Sequence, residues 1–179
     1  MNTKLLIDEN KNMSDNVFRI KRIKSFIYNH YISDKFYAKM NNISFKVIIR
    51  DNNKNYIATL FKLKDNITWV LVKDNYQICK FIYIKEKFNK CKSITIYIPS
   101  KNHFYKEYVF SNRKQNTISK RDYKNIFDNS FKSTKNLYIK YRGILVYKSK
   151  KYKKNNFEIC FLNPFKEIIA FCYFLVSTT

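Results

Sequence analysis

The sequence predicts a mainly β fold, a closed antiparallel β-barrel around a hydrophobic C-terminal α-helix. Three observations carry this. Short runs rich in β-branched and aromatic residues recur at regular spacing from residue 43 onward, as in a sandwich or barrel. The segments between them have Asn-, Asp- and Lys-rich turn compositions. Residues 168–176 (IIAFCYFLV) are apolar without a break, and a helix apolar all round has to be buried on every side, which points to the inside of a barrel.

The elements follow in order. Residues 1–16 are polar and aperiodic and read as a flexible tail, with no basic-then-apolar secretory pattern. Residues 17–31 (VFRIKRIKSFIYNHY) mix apolar and basic residues. Val17, Ile20, Ile23 and Ile27 fit helical spacing, while the first seven residues fit a strand equally well. A basic amphipathic helix here suits a membrane surface; the alternative is an element packed on the domain with its charges in water. Residues 17–35 are therefore set apart as a basic N-terminal extension, and residues 36–179 form the barrel domain.

Residues 43–50 (ISFKVIIR) and 56–63 (YIATLFKL) read as a hairpin with residues 51–55 at its tip, and 67–72 (ITWVLV) continues the meander. Strands follow at 76–84, 93–98 and 104–110, then a polar loop over 111–135. Strands resume at 136–142 and 144–147, broken by Gly143. A basic loop, KSKKYKKNN, leads to a last strand at 157–161. Asn163 and Pro164 suit the cap and first position of a helix over about 164–177. The competing reading, a tail anchor, meets two objections. Lys166 and Glu167 sit in the first turn, and the run falls short of the roughly 20 apolar residues a bilayer needs.

Composition narrows the function. At 179 residues, with 45% hydrophobic residues, the chain suits one folded domain rather than a disordered segment. Gly143 is the only glycine, so neither a G-x-G-x-x-G turn nor a P-loop exists, and dinucleotide and P-loop enzymes are excluded. Cys79, Cys91, Cys160 and Cys172 show no C-x-x-C spacing; with two separated histidines they give no metal site, and they are expected reduced and mostly buried. His30, His103, Glu107, Asp122 and Asp128 form no nucleophile–base pattern, so no catalytic residue, cofactor or metal is expected.

Charge gives the partner class. Thirty-six Lys and Arg against thirteen Asp and Glu leave +23, which favours phosphoinositide head groups, an anionic membrane surface or nucleic acid. Part of the lysine excess matches an AT-rich coding sequence, so charge names a class of partner and no particular one. The aromatic content suits a nucleic-acid groove with stacking platforms, but these residues fall at strand periods, as core residues do.

The strand series ending on a greasy helix resembles the tubby family's C-terminal domain. Residues 43–51 (ISFKVIIRD) resemble its opening strand, of the kind ITIKCRITRD. Residues 67–78 (ITWVLVKDNYQI) resemble its FLLAGRKRKKSKTSNYLIS with the basic hairpin tip shortened, Asn75, Tyr76 and Ile78 matching NYLI. Residues 81–97 resemble SYIGKLRSNLMGTKFTVY, although SITIYIP also resembles a later family strand, MSVIVPG. Residues 137–159 resemble VLNFHGRVTQASVKNFQI, with Gly143 on the HGRV turn, and 164–177 (PFKEIIAFCYFLVS) resemble the buried helix YPLSAFQAFAICLSS. The series covers residues from about 40 to 179 in family order. LURP-one-like and scramblase-type domains share the plan; a scramblase-like role would need a lipidated or anchored segment, for which Cys160 and Cys172, expected buried, are unsuited.

The resemblance implies a non-enzymatic, tubby-like protein binding phosphatidylinositol 4,5-bisphosphate through a small basic pocket. It also implies an adaptor, cytoplasmic and peripheral at the plasma membrane, with a nuclear, transcription-regulating role as the alternative. Lys73 is the one basic residue inside the shortened hairpin, and Lys85 and Lys87 fall on the family's basic turn, so these three are the implied phosphoinositide-binding residues. Lys87 stands where the family has Arg; it keeps a point charge and loses a bidentate fork. The reading otherwise open is that all three are surface lysines. Protein cargo would bind the N-terminal segment, and the domain is expected to be a monomer. The basic stretches 85–92 and 148–154 could form a polybasic face if they share a side of the domain.

Overall fold

The computed structural model describes residues 16–85, 92–99, 105–111, 136–141, 144–162 and 165–179. They form twelve strands and one helix: β1 (Val17–Lys24), β2 (Tyr28–Ser33), β3 (Phe36–Asn41), β4 (Lys46–Asp51), β5 (Tyr56–Lys62), β6 (Thr68–Lys73), β7 (Tyr76–Lys85), β8 (Lys92–Pro99), β9 (Tyr105–Ser111), β10 (Asn136–Tyr141), β11 (Ile144–Lys153), β12 (Asn156–Phe161) and α1 (Glu167–Ser177). Neighbouring strands are antiparallel, in the order β10-β11-β12-β1-β2-β3-β4-β5-β6-β7-β8-β9. Chain order and sheet order differ at one place, where β1 is seated between β12 and β2.

Alternation explains which face is inside. Phe36, Ala38 and Met40 of β3, Val47 and Ile49 of β4, and Ala58 and Leu60 of β5 are buried at every second position. The rings of Tyr31 (β2), Phe36 (β3), Tyr147 (β11) and Phe157 (β12) all pack against α1, at Phe174, Phe171, Tyr173 and Phe174 in turn. β7, with Cys79 and Phe81 buried, also contacts the helix. Strands far apart in the sheet thus touch one helix, so the sheet curls around it. Every residue from Ile169 to Val176 is buried. The uninterrupted apolar run required this, because a helix without a polar face has nowhere else to go.

The turns show how a chain with so little glycine changes direction. Asp74 and Asn75, at φ 49° and 67°, make the two-residue turn between β6 and β7, the geometry that favours Asx residues. Asn66 and Asn155 occupy left-handed positions as well. Asp51 caps its turn through Oδ1, which accepts from the Asn53 and Asn55 amides.

Several expectations need correction. Residues 17–35 are no separate extension: they supply β1 and β2, and β1 pairs with both β12 and β2 inside the sheet. The helical alternative for 17–31 fails because Phe18 and Ile20 face the core while Arg19 and Lys21 face water, a period of two. The basic stretch 148–153 is strand; Ser149 is buried beside Ile159, and the flanking lysines face outward or end the strand. The helix begins at Glu167 with Lys166 as its cap residue and no side-chain cap bond; Asn163 and Pro164 lie outside the described residues. Cys79 and Cys172 are buried, but Cys160 is half-exposed. The flexible tail, Cys91, Gly143 and most of the 111–135 loop also lie outside the described residues.

Candidate functional site: two ends of unequal charge

α1 gives the molecule an axis. Glu167 starts it beside the β2–β3 turn, where Lys35 pairs with its carboxylate. Thr179, two residues past the last turn of the helix, lies near Met40, with Oγ1 3.9 Å from the sulfur. Turns alternate between these ends because every strand is antiparallel to its neighbours. The β2–β3, β4–β5 and β6–β7 turns and the entry to α1 lie at the Glu167 end, here the lower end. The β1–β2, β3–β4, β5–β6 and β11–β12 turns lie at the Thr179 end, the upper end.

The two ends differ in charge. Counting each connection from the last residue of one element to the first of the next, the four lower ones hold Lys35, Lys54, Lys73 and Lys166 against Asp34, Asp51, Asp74 and Glu167. Those four cations balance four carboxylates. The four upper ones hold Lys24, Lys46, Lys62, Lys64, Lys153 and Lys154 against Asp65 alone. Arg22 adds to the upper end, with its guanidinium 5.0 Å above the Phe157 ring and both Nε and Nη2 3.3 Å from Asn155 Oδ1. Cations near Thr179 also suit the negative end of the helix dipole. Burial raises the pKa of the Tyr31 phenol, and the nearby Arg22 charge partly offsets this.

The upper end is held in shape by side chains of its own turns. Asp65 accepts from the Ile67 and Thr68 amides at 3.0 and 2.9 Å and from the Thr68 hydroxyl at 2.5 Å. These hydrogen bonds, the hydroxyl's first, hold its carboxyl below the usual value. Lys62 lies 4.8 Å above the Phe45 ring and 5.7 Å above Trp69, tying the β3–β4 and β5–β6 turns together.

The lysines named from sequence are not brought together. Lys73 is exposed at the tip of the β6–β7 turn, at the lower end. Lys85 ends β7 at the upper end, opposite Lys92 of β8 in the register. A ten-residue strand, roughly 30 Å at about 3.3 Å per residue, runs between the turn and Lys85, so Lys73 and Lys85 cannot share one head group. Lys87 lies outside the described residues. Of the two basic stretches, Lys85, Lys92, Lys153 and Lys154 fall at strand ends or in a turn of the upper end, while 148–152 run along β11 and 86–91 lie outside the described residues. Sequence reasoning missed Lys24, Lys46, Lys62 and Lys64, which are scattered in the chain. The signal that could have found them is the turn alternation of a meander.

Other sites offer less. An open groove of about 740 Å³ crosses the outer face of β4–β6, with Lys46, Tyr56, Thr59 and Phe61 in its lining. A smaller one, about 230 Å³, lies between Arg19, Lys150, Tyr152 and Glu158, where Arg19 pairs with Glu158 at 3.7 Å. His30 Nδ1 is 2.5 Å from the Tyr37 hydroxyl, and the two rings stack. Among the described residues there is no cluster of three metal-ligating side chains, and no helix is long and apolar enough to cross a membrane. No protein-family model matches the chain, and a search of curated proteins gives no significant match.

Proposed function

We propose that this is a peripheral membrane-binding module that attaches to anionic lipid through its upper end. More particularly, we read it as a tubby-like phosphoinositide-binding domain, acting as a non-enzymatic adaptor at phosphatidylinositol 4,5-bisphosphate-containing membranes. The observation that carries the reading is the contrast, among the described connections, between six lysines and one carboxylate at the upper end and four cations against four carboxylates at the lower. Each lysine close to an anionic leaflet contributes about 1 kcal/mol, so a basic face of this size binds without any enclosed pocket. The architecture supports the tubby-like part, with antiparallel strands curled about a fully apolar terminal helix. We infer that β9 and β10, whose Cα atoms approach within 8 Å, complete the barrel around that helix. Lys85 stays among the proposed lipid-binding residues; Lys73 does not, because it lies at the opposite end.

Vesicle co-sedimentation tests this at near-physiological salt, with phosphatidylinositol 4,5-bisphosphate and phosphatidylserine vesicles of equal total charge. Binding that prefers the bisphosphate and is lost in Lys46→Glu/Lys64→Glu but kept in Lys54→Glu/Lys73→Glu supports the proposal. Equal loss in both variants would remove the assignment to the upper end. Absence of vesicle binding would remove the membrane function itself.

A further inference from the structure

The upper end carries apolar side chains as well as lysines. Phe26 is 96% exposed at the β1–β2 tip and Ile43 78% exposed at the β3–β4 tip. Leu63 and Ile67 are partly exposed on the β5–β6 turn beside them. These tips are neighbours along the sheet, since β1 to β6 are consecutive in it. Exposed single hydrophobes are ordinary; a row of them on adjacent tips, between lysines, is not.

Two further features set these tips apart from frayed loops. First, they are braced. Asn42 N donates to the Ile27 carbonyl at 2.8 Å, and its Nδ2 donates to the Ser25 and Phe26 carbonyls at 3.0 and 3.3 Å, so the β1–β2 and β3–β4 tips are hydrogen-bonded together. Asn41 Oδ1 accepts from the Ile43 and Ser44 amides at 2.8 and 3.0 Å. Ser25 N donates to the Tyr28 carbonyl, and the Ser25 hydroxyl accepts from the Tyr28 amide. Second, Phe45 sits at φ 54°, a conformation a bulky residue adopts only under constraint; its ring is held edge-on to Trp69.

We propose that Phe26 and Ile43 insert into the head-group–acyl boundary of an anionic bilayer, with Leu63 and Ile67 at a shallower depth and the flanking lysines on the lipid phosphates. The proposal rests on the anionic-lipid reading above and adds the insertion step. Backbone groups that enter a low-dielectric layer need internal partners, and the bracing bonds supply them. Lys24 and Lys46 flank the two tips as snorkelling cations do at an interface. Asp65 keeps the β5–β6 turn nearer water, since a carboxylate is repelled by anionic lipid. A nucleic acid is the poorer fit: it uses flat stacking platforms, and of the four apolar residues only Phe26 is aromatic.

The test uses the full chain and phosphatidylcholine vesicles doped with phosphatidylserine or with phosphatidylinositol 4,5-bisphosphate. Phe26→Trp is compared with Tyr76→Trp, a largely exposed lower-end control, over the background of buried Trp69. Insertion predicts that vesicles shift Phe26→Trp emission to the blue and that brominated acyl chains quench it, with neither effect in Tyr76→Trp. It also predicts that Phe26→Ser/Ile43→Ser weakens vesicle binding about tenfold or more, given the apolar area withdrawn from water. Unquenched Phe26→Trp together with unweakened Phe26→Ser/Ile43→Ser, while Lys46→Glu/Lys64→Glu still loses binding, overturns insertion and leaves the electrostatic reading standing. Vesicle binding unaffected by the lysine variant overturns that reading too. Competition of single-stranded nucleic acid for the same surface, indifferent to Phe26→Ser/Ile43→Ser, also overturns the proposal, as does a self-association that those substitutions abolish in a protein that ignores vesicles.

Discussion

The upper and lower ends of this molecule are made by the same device and finished differently. Both consist of hairpin turns shaped by Asn and Asp side chains. At the lower end the described turns set Asp34, Asp51 and Asp74 against as many lysines, with Asp51 capping its own turn, and their charges balance. At the upper end Asn41 and Asn42 do much of the same work without charge, and the lysines are left in excess. An Asn cap satisfies a turn as an Asp cap does, but it leaves the sign of the surface free. Charge polarity along the helix axis therefore costs the fold little, and it directs the molecule toward an anionic surface in one orientation.

The largest effect comes from striking what both ends share. Phe174 is fully buried and packs on Tyr31 and Phe157. Phe174→Ala is expected to cost about 3–5 kcal/mol, seen as a large fall in melting temperature and a loss of vesicle binding with it. A variant that melted normally would mean the helix is not the common support.

Next in size is the charge contrast. Lys46→Glu/Lys64→Glu is expected to weaken vesicle binding roughly thirtyfold or more, at about 1 kcal/mol per lysine removed, with a further loss from the added carboxylates. Lys54→Glu/Lys73→Glu leaves it nearly unchanged. Raising the salt should weaken the wild-type protein in the same sense, since the Debye length shrinks from about 8 Å at 0.15 M.

A smaller effect concerns the order of the upper turns. The Asp65 carboxyl is held below its ordinary value of 3.8 by bonds to Thr68 and Ile67. A lowered folded-state value means that its contribution is present above the ordinary value and lost as pH falls through the folded one. Amide protection at Ile67 and Thr68 should therefore decline only under distinctly acid conditions, and Asp65→Ala should remove it at neutral pH. Protection in Asp65→Ala equal to wild type would show that another contact orders the turn.

The cysteines give a finer readout. Cys79 and Cys172 are buried and burial pushes their thiols far up, so neither is expected to label in the native state, whereas half-buried Cys160 is expected to label slowly, as thiol-reagent kinetics would check. Smallest of all is the pair between Lys35 and Glu167, both about half exposed; Lys35→Met is expected to change stability by less than about 1 kcal/mol.

What was legible in the sequence follows from how strongly each segment is patterned. β4 and β5 alternate, β6 is a short continuous apolar run, and all three sit between Asx-rich turns, so hairpin, tip and meander could be read directly. The helix was legible because nine apolar residues in a row have one physical solution. β1 was ambiguous because Arg22, on the inward side of the alternation, stacks on Phe157 and bonds Asn155, which the linear pattern cannot show. Only the start of β11, 144–147, reads as strand from the sequence; the outward lysines and buried Ser149 of the rest look like loop composition, and β10 and β12 on either side make it a strand. The lysine set was misplaced for a related reason. Lys73 and Lys85 are close in sequence but lie at opposite ends of the molecule, separated by the length of β7, while Lys24, Lys46 and Lys64 are distant in sequence and lie at one end.

The central claim, that the upper end alone faces anionic lipid, is met most directly by one paired co-sedimentation at near-physiological salt. Lys46→Glu/Lys64→Glu and Lys54→Glu/Lys73→Glu carry the same charge change at opposite ends of the same fold. The account predicts loss of vesicle binding in the first and retention in the second. Equal binding by the two variants would contradict it, because net charge alone would then set the affinity.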